Sequence, residues 1–552
     1  MGHFLDAMSL RDAGPSQFPR RIERLMWHIG CSFVANIDGP GDEGGDILAR
    51  RGAEDWVIQC KWKRHSAVGA EAVDEVARAR ATYRAHRAVV VTNTQFSVAA
   101  KRRAEELARL GPAIRLWTGD DLMSAFEKLP DRFGELRLRS YQNEAVRRLE
   151  DDLDATGRGL LILATGLGKT VVGGEVLNVH LSRHPADKIL VVAHAKDLVH
   201  QLERALWRHL PKHVPTRLLT GDNKVDDLSG VTCATVGSAL SVVRFGYRPA
   251  LVMIDEAHHL GAEGQYDELL RLLERSRQFG VTATPWRGDA HDITDQLGPP
   301  SFSLGIEDGM RGGYLAQVDY RLFVDDVDWD VVKDASRHSY GLADLNSRLF
   351  LPQRDEAIRD QLASVWADTD QPRAIVFCRT VEHAERLARL LDRTPFWSGA
   401  QAVHASLPKR ERQRRLLAFR AGETPILTAV DILNEGVDVP DVNILCFARV
   451  THSRRIFVQQ LGRGLRLREG KSRVVVLDFV SDLRRIAAAM NLKQSLGGGQ
   501  VEVLEESSRS RIEFSDQRVA ALMEEWIKDA ASLETAYDEY RLQFPDVIEN
   551  RE

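Results

Sequence analysis

Ile22, Leu25, Met26 and Ile29 recur at helical spacing, and Gly30 follows as a stop, so an amphipathic helix is expected near the start of the chain. Two short strand-like runs come next, at residues 46–50 and 56–62, joined by the polar stretch 51–55. A helical segment at 71–86 leads into an apolar run at 88–92, and another at 98–110 leads into 113–117. This alternation predicts a small α/β unit ending near Pro130. Apolar strands then alternate with helices twice more, from about residue 136 to 299 and from about 352 to 480. Both stretches read as parallel-sheet α/β domains whose strand ends point loops at a shared cleft. Residues 300–351, rich in Asp, Gly and Arg, read as a less regular connector. Beyond 481 come Gly497, Gly498 and Gly499, and then Val519, Leu522, Met523 and Trp526 at helical spacing. Such a stripe is more often a core-facing surface than a partner site, and both readings stay open here. The expected division is a tail at 1–19, domains at 20–128, 129–299 and 352–482, the connector at 300–351, and a helical C-terminal region at 483–552.

The 552 residues are too many for one hydrophobic core, which agrees with this count. A content of 43% hydrophobic and 28% charged residues is that of a globular protein, and the apolar runs are too short to span a bilayer. Arg11 and Asp12 interrupt the N-terminus, so no signal peptide is expected. Cys31, Cys60, Cys233, Cys378 and Cys446 never form a CxxC pair, which fits a reducing cytoplasm and argues against structural zinc. With a net charge of −5 the chain offers no global attraction to nucleic acid, so any contact needs local basic surface. Lys409, Arg410, Arg412, Arg414, Arg415 and Arg420 offer one such surface, or simply a solvated helix face.

Chemistry enters at the apolar strand 159–163, which runs into Ala164-Thr165-Gly166-Leu167-Gly168-Lys169-Thr170 and a helix. Gly166 and Gly168 let the backbone curl its N–H groups around phosphates, Lys169 reaches the β/γ-phosphates, and the Thr170 hydroxyl ligates Mg²⁺. Downstream, Leu251-Val252-Met253-Ile254 delivers Asp255-Glu256-Ala257-His258. Asp255 suits the Mg²⁺ shell, and Glu256 suits orienting or deprotonating the attacking water. Two such motifs, each at the end of a strand and in this order, point to ATP hydrolysis.

At this point residues 136–480 resemble superfamily 2 helicases, which implies two tandem RecA-like domains. Arg139-Ser140-Tyr141-Gln142 looks like the adenine-reading motif, with Gln142 on the base. Val192-Ala193-His194 and Thr235-Val236-Gly237-Ser238 resemble the strand-contacting motifs, and Thr282-Ala283-Thr284-Pro285 the motif that couples hydrolysis to domain movement. In the second domain, Val376-Phe377-Cys378, Asn434-Glu435-Gly436-Val437-Asp438 and Gln459-Gln460-Leu461-Gly462-Arg463-Gly464-Leu465-Arg466 match the later motifs. The resemblance places Gly436 and Asp438 at the nucleotide and makes Arg463 and Arg466 arginine fingers. It leaves Leu163 where the usual phosphate loop has its first glycine.

A second constellation lies near the N-terminus. Gly39-Pro40-Gly41-Asp42-Glu43-Gly44-Gly45-Asp46 leads into the first strand, and the second carries Gln59-Cys60-Lys61. Gln59 and Lys61 share one face, while Ile58 and Cys60 take the apolar one. In a hairpin, Asp46 approaches that pair. Asp46 and Gln59 then suit Mg²⁺, with the Cys60 carbonyl as a further ligand, and Lys61 suits orienting water or stabilising charge on a scissile phosphate. Glu23, on the polar flank of the first helix, is expected to support a ligand water. A half-buried hairpin with ordinary surface polars also remains open. Residues 20–126 resemble the Mrr restriction endonucleases of the PD-(D/E)xK group through Gly39, Gly41, Asp42, Gly44, Asp46, Gln59, Lys61 and the later Val89-Val90-Val91-Thr92-Asn93, Phe96 and Ala99.

Together the resemblances imply an ATP- and Mg²⁺-dependent motor on DNA, double-stranded in the first instance, with a cutting domain of the restriction or anti-phage kind. No methyltransferase signature or target-recognition segment is visible, so a protein partner or a structural feature of the DNA is expected to supply the target. RNA as the track, a non-cutting DNA clamp at the N-terminus, and an ATP-gated scaffold are the alternatives.

Overall fold

The computed structural model describes residues 4–37, 44–132, 137–221, 227–261, 264–283, 293–324, 326–327, 340–341, 350–351, 355–430, 442–448, 473–480, 511–513 and 541–542. Its first sheet is built from β1 (Phe33–Asn36), β2 (Ile47–Arg51), β3 (Glu54–Lys61), β4 (Arg87–Thr92) and β5 (Ile114–Trp117), in that spatial order. The first three strands run antiparallel and the last three parallel. Helices α1 (Ala7–Asp12), α2 (Gly14–His28), α3 (Glu71–Tyr83), α4 (Val98–Leu110) and α5 (Gly119–Lys128) surround it. Period-two alternation sorts the side chains: Ile47, Ala49, Ile58 and Cys60 pack with α2 and α5, while Leu48, Val57, Ala88 and Val90 pack with α3 and α4.

The expected hairpin is present, but three details differ from expectation. Helix α2 starts eight residues before Ile22, with Pro15 in its first turn, so the spacing 22–29 marked only its second half. Strand β1 was not foreseen, because four residues give too short an alternation. Helix α3 stops at Tyr83, because Arg84 takes a left-handed conformation at φ 50°.

The second sheet is wholly parallel, from β6 (Arg158–Leu163), β7 (Ile189–Ala193), β8 (Thr216–Leu219), β9 (Val231–Thr235), β10 (Leu251–Asp255), β11 (Arg277–Thr282) and β12 (Phe302–Leu304). Its order is β12-β6-β11-β10-β7-β9-β8. Helices α6 (Ser140–Thr156), α7 (Lys169–Arg183), α8 (Lys196–Leu206), α9 (Val236–Arg244) and α10 (Gln265–Leu272) belong to the same domain. Residues 160–163, 189–193 and 251–254 are buried, because a parallel sheet is covered on both faces. Each such Val, Leu or Ile contributes about 1.5–3 kcal/mol when taken out of water.

The third sheet, also parallel, contains β13 (Gln317–Val324), β17 (Ala374–Cys378), β18 (Gln401–His404), β19 (Ile426–Val430), β20 (Ile444–Ala448), β21 (Arg473–Val480) and β22 (Arg511–Glu513). Two short ladders pair β14 (Asp326–Val327) with β16 (Phe350–Leu351) and β15 (Tyr340–Gly341) with β23 (Arg541–Leu542). The segment expected as a connector therefore feeds both large sheets, β12 lying beside β6 and β13 beside β21. Met310, Leu315, Ala316 and Val318 share one core with residues of both parallel-sheet domains. The described parts of the C-terminal region are the strands β22 and β23 rather than helix, and the stripe from Val519 to Trp526 lies outside the described residues.

The N-terminal domain is fastened along α2 to the domain built on the second sheet. Arg20 pairs with Glu203, and Arg24 donates to the carbonyls of Val214 (2.9 Å) and Pro211 (3.3 Å). Arg208 lies over the Trp27 ring at 4.5 Å, and Lys212 donates to the carbonyls of Phe126 and Leu129. On the opposite side, Phe33 of β1 is covered by Arg420 at 4.8 Å, from the second-domain helix Lys409–Ala421. Burial lowers the Arg24 pKa to about 9, so this guanidinium stays charged at neutral pH.

Two histidines near this interface make its stability pH-dependent. Burial, reinforced by Arg24 and Lys212, pushes His28 down to about 3, and burial with Arg132 and Arg208 pushes His209 down to about 4. Both bind protons near pH 6.5 when unfolded and resist protonation when folded. Their contribution is therefore complete above pH 6.5 and is lost as pH falls towards 4, by up to about 1.4 kcal/mol per unit for each group. Melting at pH 7.5 and 5.5 should show a marked drop in Tm, and His28→Phe should shrink it; equal drops in the two proteins would contradict this account.

Candidate nuclease and nucleotide sites

Asp46 sits at the mouth of β2, held in extended pairing by Ile37 N–H donating to its carbonyl (2.8 Å) and its own N–H donating to Ile58 (2.9 Å). Its carboxylate Oδ2 accepts from Gln59 Nε2 at 2.9 Å and from the Cys60 N–H at 2.5 Å. Asp46 and Gln59 are only 7% and 4% exposed, so this is a dry, polar junction. Gln59 turns its nitrogen towards Asp46, which leaves Oε1 buried without a hydrogen-bond donor. A buried carbonyl oxygen in that condition is costly unless something binds it, and a divalent cation is the ligand its chemistry suits. Lys61, on the same strand face as Gln59, reaches Glu75 of α3, with Nζ 2.6 Å from Oε2. Asn93, just past β4, exchanges hydrogen bonds at 2.8 Å with both the N–H and the carbonyl of Lys63 and so fixes the strand end that carries Lys61.

The structure thus joins Asp46 to Gln59 and puts Lys61 two residues further along β3 on the Gln59 face, turned to Glu75, but does not bring Glu23 to them. Glu23 is buried on α2, which covers the Ile58 and Cys60 face, and its two oxygens accept from Arg204 of α8 at 3.0 and 3.2 Å. Its place is in the interdomain contact, which corrects the expectation that it supports a ligand water. Glu75 was missed, although a signal existed. Ala72, Val73, Val76 and Ala79 mark the buried face of α3, and a carboxylate three residues after Ala72 and four before Ala79 shares it. Residues 39–43 of the glycine-rich approach lie outside the described residues.

Gly44 shows why that approach ends in glycine. It stands at φ 83°, and a Cβ there would lie 2.4 Å from the Glu75 Cβ and 2.9 Å from its Cα. Gly44→Ala is therefore expected to push the Asp46 loop off α3. Cleavage should fall on the order of 100-fold, as for a 1 Å misplacement of reacting groups, with ATP hydrolysis unchanged; a cleavage assay beside an ATPase assay checks this.

In the first motor domain, β6 passes through residues 164–168 into α7, with Gly166 at φ 94° and Gly168 at φ 87°. Only glycine adopts this curl without strain, and it turns backbone N–H groups inwards at a helix N-terminus. The Thr165 hydroxyl is buried without a hydrogen-bond partner, which fits a loop shaped for a ligand. Arg139 and Gln142 brace this loop from α6: Gln142 Nε2 and the Tyr141 hydroxyl both donate to the Leu167 carbonyl, at 3.1 and 2.7 Å, and Gln142 Oε1 accepts from the Arg139 N–H at 3.0 Å. Thr170 lies in the first turn of α7. Lys169 Nζ contacts Glu256 Oε1 at 3.2 Å.

Asp255 ends β10, and Glu256 follows at φ 50°, a conformation that non-glycine residues adopt at a cost of about 1–3 kcal/mol. His258 Nδ1 lies 3.3 Å from Glu256 Oε2 and 2.9 Å from the Thr282 hydroxyl at the end of β11. His194, just past β7, lies against His259 at 4.1 Å, and Thr235 donates to Ser238 at 3.0 Å. These motifs share the rim formed by the C-terminal ends of the parallel strands, while Val376, Phe377 and Cys378 form the buried end of β17. Thr284, Pro285, Gly436, Asp438, Arg463 and Arg466 lie outside the described residues.

Known families match all three folded units. Residues 10–126 match the family model described as a restriction endonuclease. Residues 135–287 match that of the res subunit of type III restriction enzymes, and residues 354–468 match the helicase conserved C-terminal domain. The chain thus carries a restriction-endonuclease-type domain followed by the two helicase-type domains.

The motor has relatives of several kinds. Over 382 residues the chain is 28% identical to a Schizosaccharomyces pombe protein provisionally named mitochondrial ATP-dependent helicase irc3, which covers 64% of this chain and 59% of that protein. It is 25% identical over 378 residues to the DNA 3'-5' translocase XPB2 of Sulfurisphaera tokodaii, covering 62% and 81%. It is 24% identical over 376 residues to the type I restriction enzyme EcoAI endonuclease subunit of Escherichia coli, covering 62% and 46%. Among solved structures, the ATP-dependent type ISP restriction-modification enzyme LlaBIII bound to DNA superposes with a TM-score of 0.51 at 17% identity, covering 97% of this chain and 42% of that one, and so shares its fold. No helix among the described residues is long and apolar enough to cross a membrane.

Proposed function

We propose that this helicase–nuclease is an ATP-driven translocase that moves on double-stranded DNA and cleaves its phosphodiesters with Mg²⁺, in restriction or anti-phage defence. The observation that supports the cutting half is the Asp46–Gln59 contact, with the Gln59 oxygen buried and without a donor and Lys61 on the same strand face. Asp46 and Gln59 would hold Mg²⁺, which when bound polarises the scissile phosphate and acidifies its water. In cleavage the water oxygen bonds to phosphorus as a phosphorus–oxygen bond of the backbone breaks, and the leaving oxygen takes a proton. Lys61 stabilises charge on the phosphate oxygens during that exchange.

In the motor half, Lys169 leaves Glu256 for the phosphates when nucleotide binds, and Glu256 is then available to orient the attacking water. Thr165, Gly166, Gly168 and Thr170 would hold the phosphates, Thr170 and Asp255 would hold Mg²⁺, and Gln142 would read the base beside Arg139. By the helicase resemblance Gly436, Asp438, Arg463 and Arg466 would act at the nucleotide from the second domain, so that cleft closure would drive hydrolysis and stepping. A cytoplasmic setting and a partner that selects the target are parts of the same reading. The test is incubation of the full chain with supercoiled duplex DNA and Mg²⁺. Nicked or linear product supports the reading, whereas DNA-stimulated ATP hydrolysis without any strand break overturns its cutting half.

A further inference from the structure

Asp46 and Gln59 together offer a divalent cation a single negative charge, and oxygen sites bind Mg²⁺ more weakly as charged ligands are removed. We propose that Glu75 is the second carboxylate of the nuclease site: Lys61 occupies it in the state described here, and it turns to Mg²⁺ when the cation enters. The inference rests on the nuclease reading above and adds a ligand to it.

Three observations place Glu75 in that role. Its Oε2 is buried and is held by the Lys61 ammonium at 2.6 Å, a contact that a cation of higher charge can replace. It and Gln59 Oε1 are two buried oxygens on the α3 side of the sheet, the first facing Lys61 and the second without a hydrogen-bond donor. Backbone packing fixes the helix at this residue, since Gly44, two positions before Asp46, rests directly on the Glu75 backbone. The neighbouring acid of α3 is engaged elsewhere, with Asp74 bound to Arg103 at 2.8 Å. A lysine beside such a carboxylate keeps the pair neutral until a cation of higher charge competes for the oxygen.

The test measures Mn²⁺ binding to the nucleotide-free full chain by calorimetry, together with the Mg²⁺ dependence of DNA cleavage. Glu75→Gln should weaken Mn²⁺ binding and raise the half-saturating Mg²⁺ by about tenfold or more. Cleavage should recover in part at high Mg²⁺, with melting temperature and DNA-stimulated ATP hydrolysis unchanged. Glu75→Asp, which keeps the charge, should bind Mn²⁺ more tightly than Glu75→Gln. Unchanged Mn²⁺ affinity in Glu75→Gln, with binding abolished in Asp46→Asn, would overturn the role of Glu75 and leave the nuclease reading standing. A wild-type chain that neither binds Mn²⁺ nor cuts would overturn both.

Discussion

Lys61→Ala is expected to abolish DNA cleavage while ATP hydrolysis continues at the wild-type rate. Lys61 carries the positive charge on the strand face shared with Gln59, and it stands at the end of β3 where Asn93 fixes the backbone. Loss of one such charge beside a developing anion costs on the order of 100- to 1,000-fold in rate. The side chain is partly exposed and ends β3, so its removal leaves no cavity in the sheet core. A supercoiled-plasmid nicking assay beside a coupled ATPase assay measures the two activities separately. Cleavage within a few fold of wild type would remove Lys61 from the chemistry.

Lys169→Ala should have the complementary effect, with ATP hydrolysis down by on the order of 100-fold or more and ATP-dependent cleavage lost with it. Lys169 begins α7 directly after the left-handed Gly168, so its ammonium is delivered at the helix N-terminus where phosphate is expected. In the state described here it neutralises Glu256 at 3.2 Å. Alanine therefore removes a phosphate ligand and also leaves the Glu256 carboxylate without that cation. Steady-state ATPase rates with saturating duplex DNA check the prediction, and ATP turnover at the wild-type rate would contradict the assignment.

The sites are legible in the sequence wherever one strand or turn carries the chemistry. Alternation along residues 56–62 alone puts Gln59 and Lys61 on one face, and the apolar run 159–163 places the loop at 164–170 at the end of a buried strand, where β6 delivers it. Long-range pairing is less legible. Strand β1 is four residues long, and β12 and β13 come from a polar segment whose strands exist only because β6 and β21 offer open edges. Glu23 shows the same limit: a polar residue on the flank of an amphipathic helix can face solvent, a site or another domain, and the bidentate contact with Arg204 decides for the last. Glu75 stays hidden because helical spacing marks it as core-facing without naming what lies opposite.

Coupling of cleavage to ATP hydrolysis would run through α2, which fixes the N-terminal domain to the first helicase-type domain through Arg20, Glu23 and Arg24. The most direct test is cleavage of linear and circular duplex DNA with Mg²⁺, with and without ATP, by the wild-type chain, Lys61→Ala and Lys169→Ala. The account predicts ATP-stimulated cutting by the wild type, none by Lys61→Ala, and no ATP stimulation in Lys169→Ala. Cutting by the wild type at one rate with and without ATP would show that the nuclease and the motor work independently, and would contradict the account.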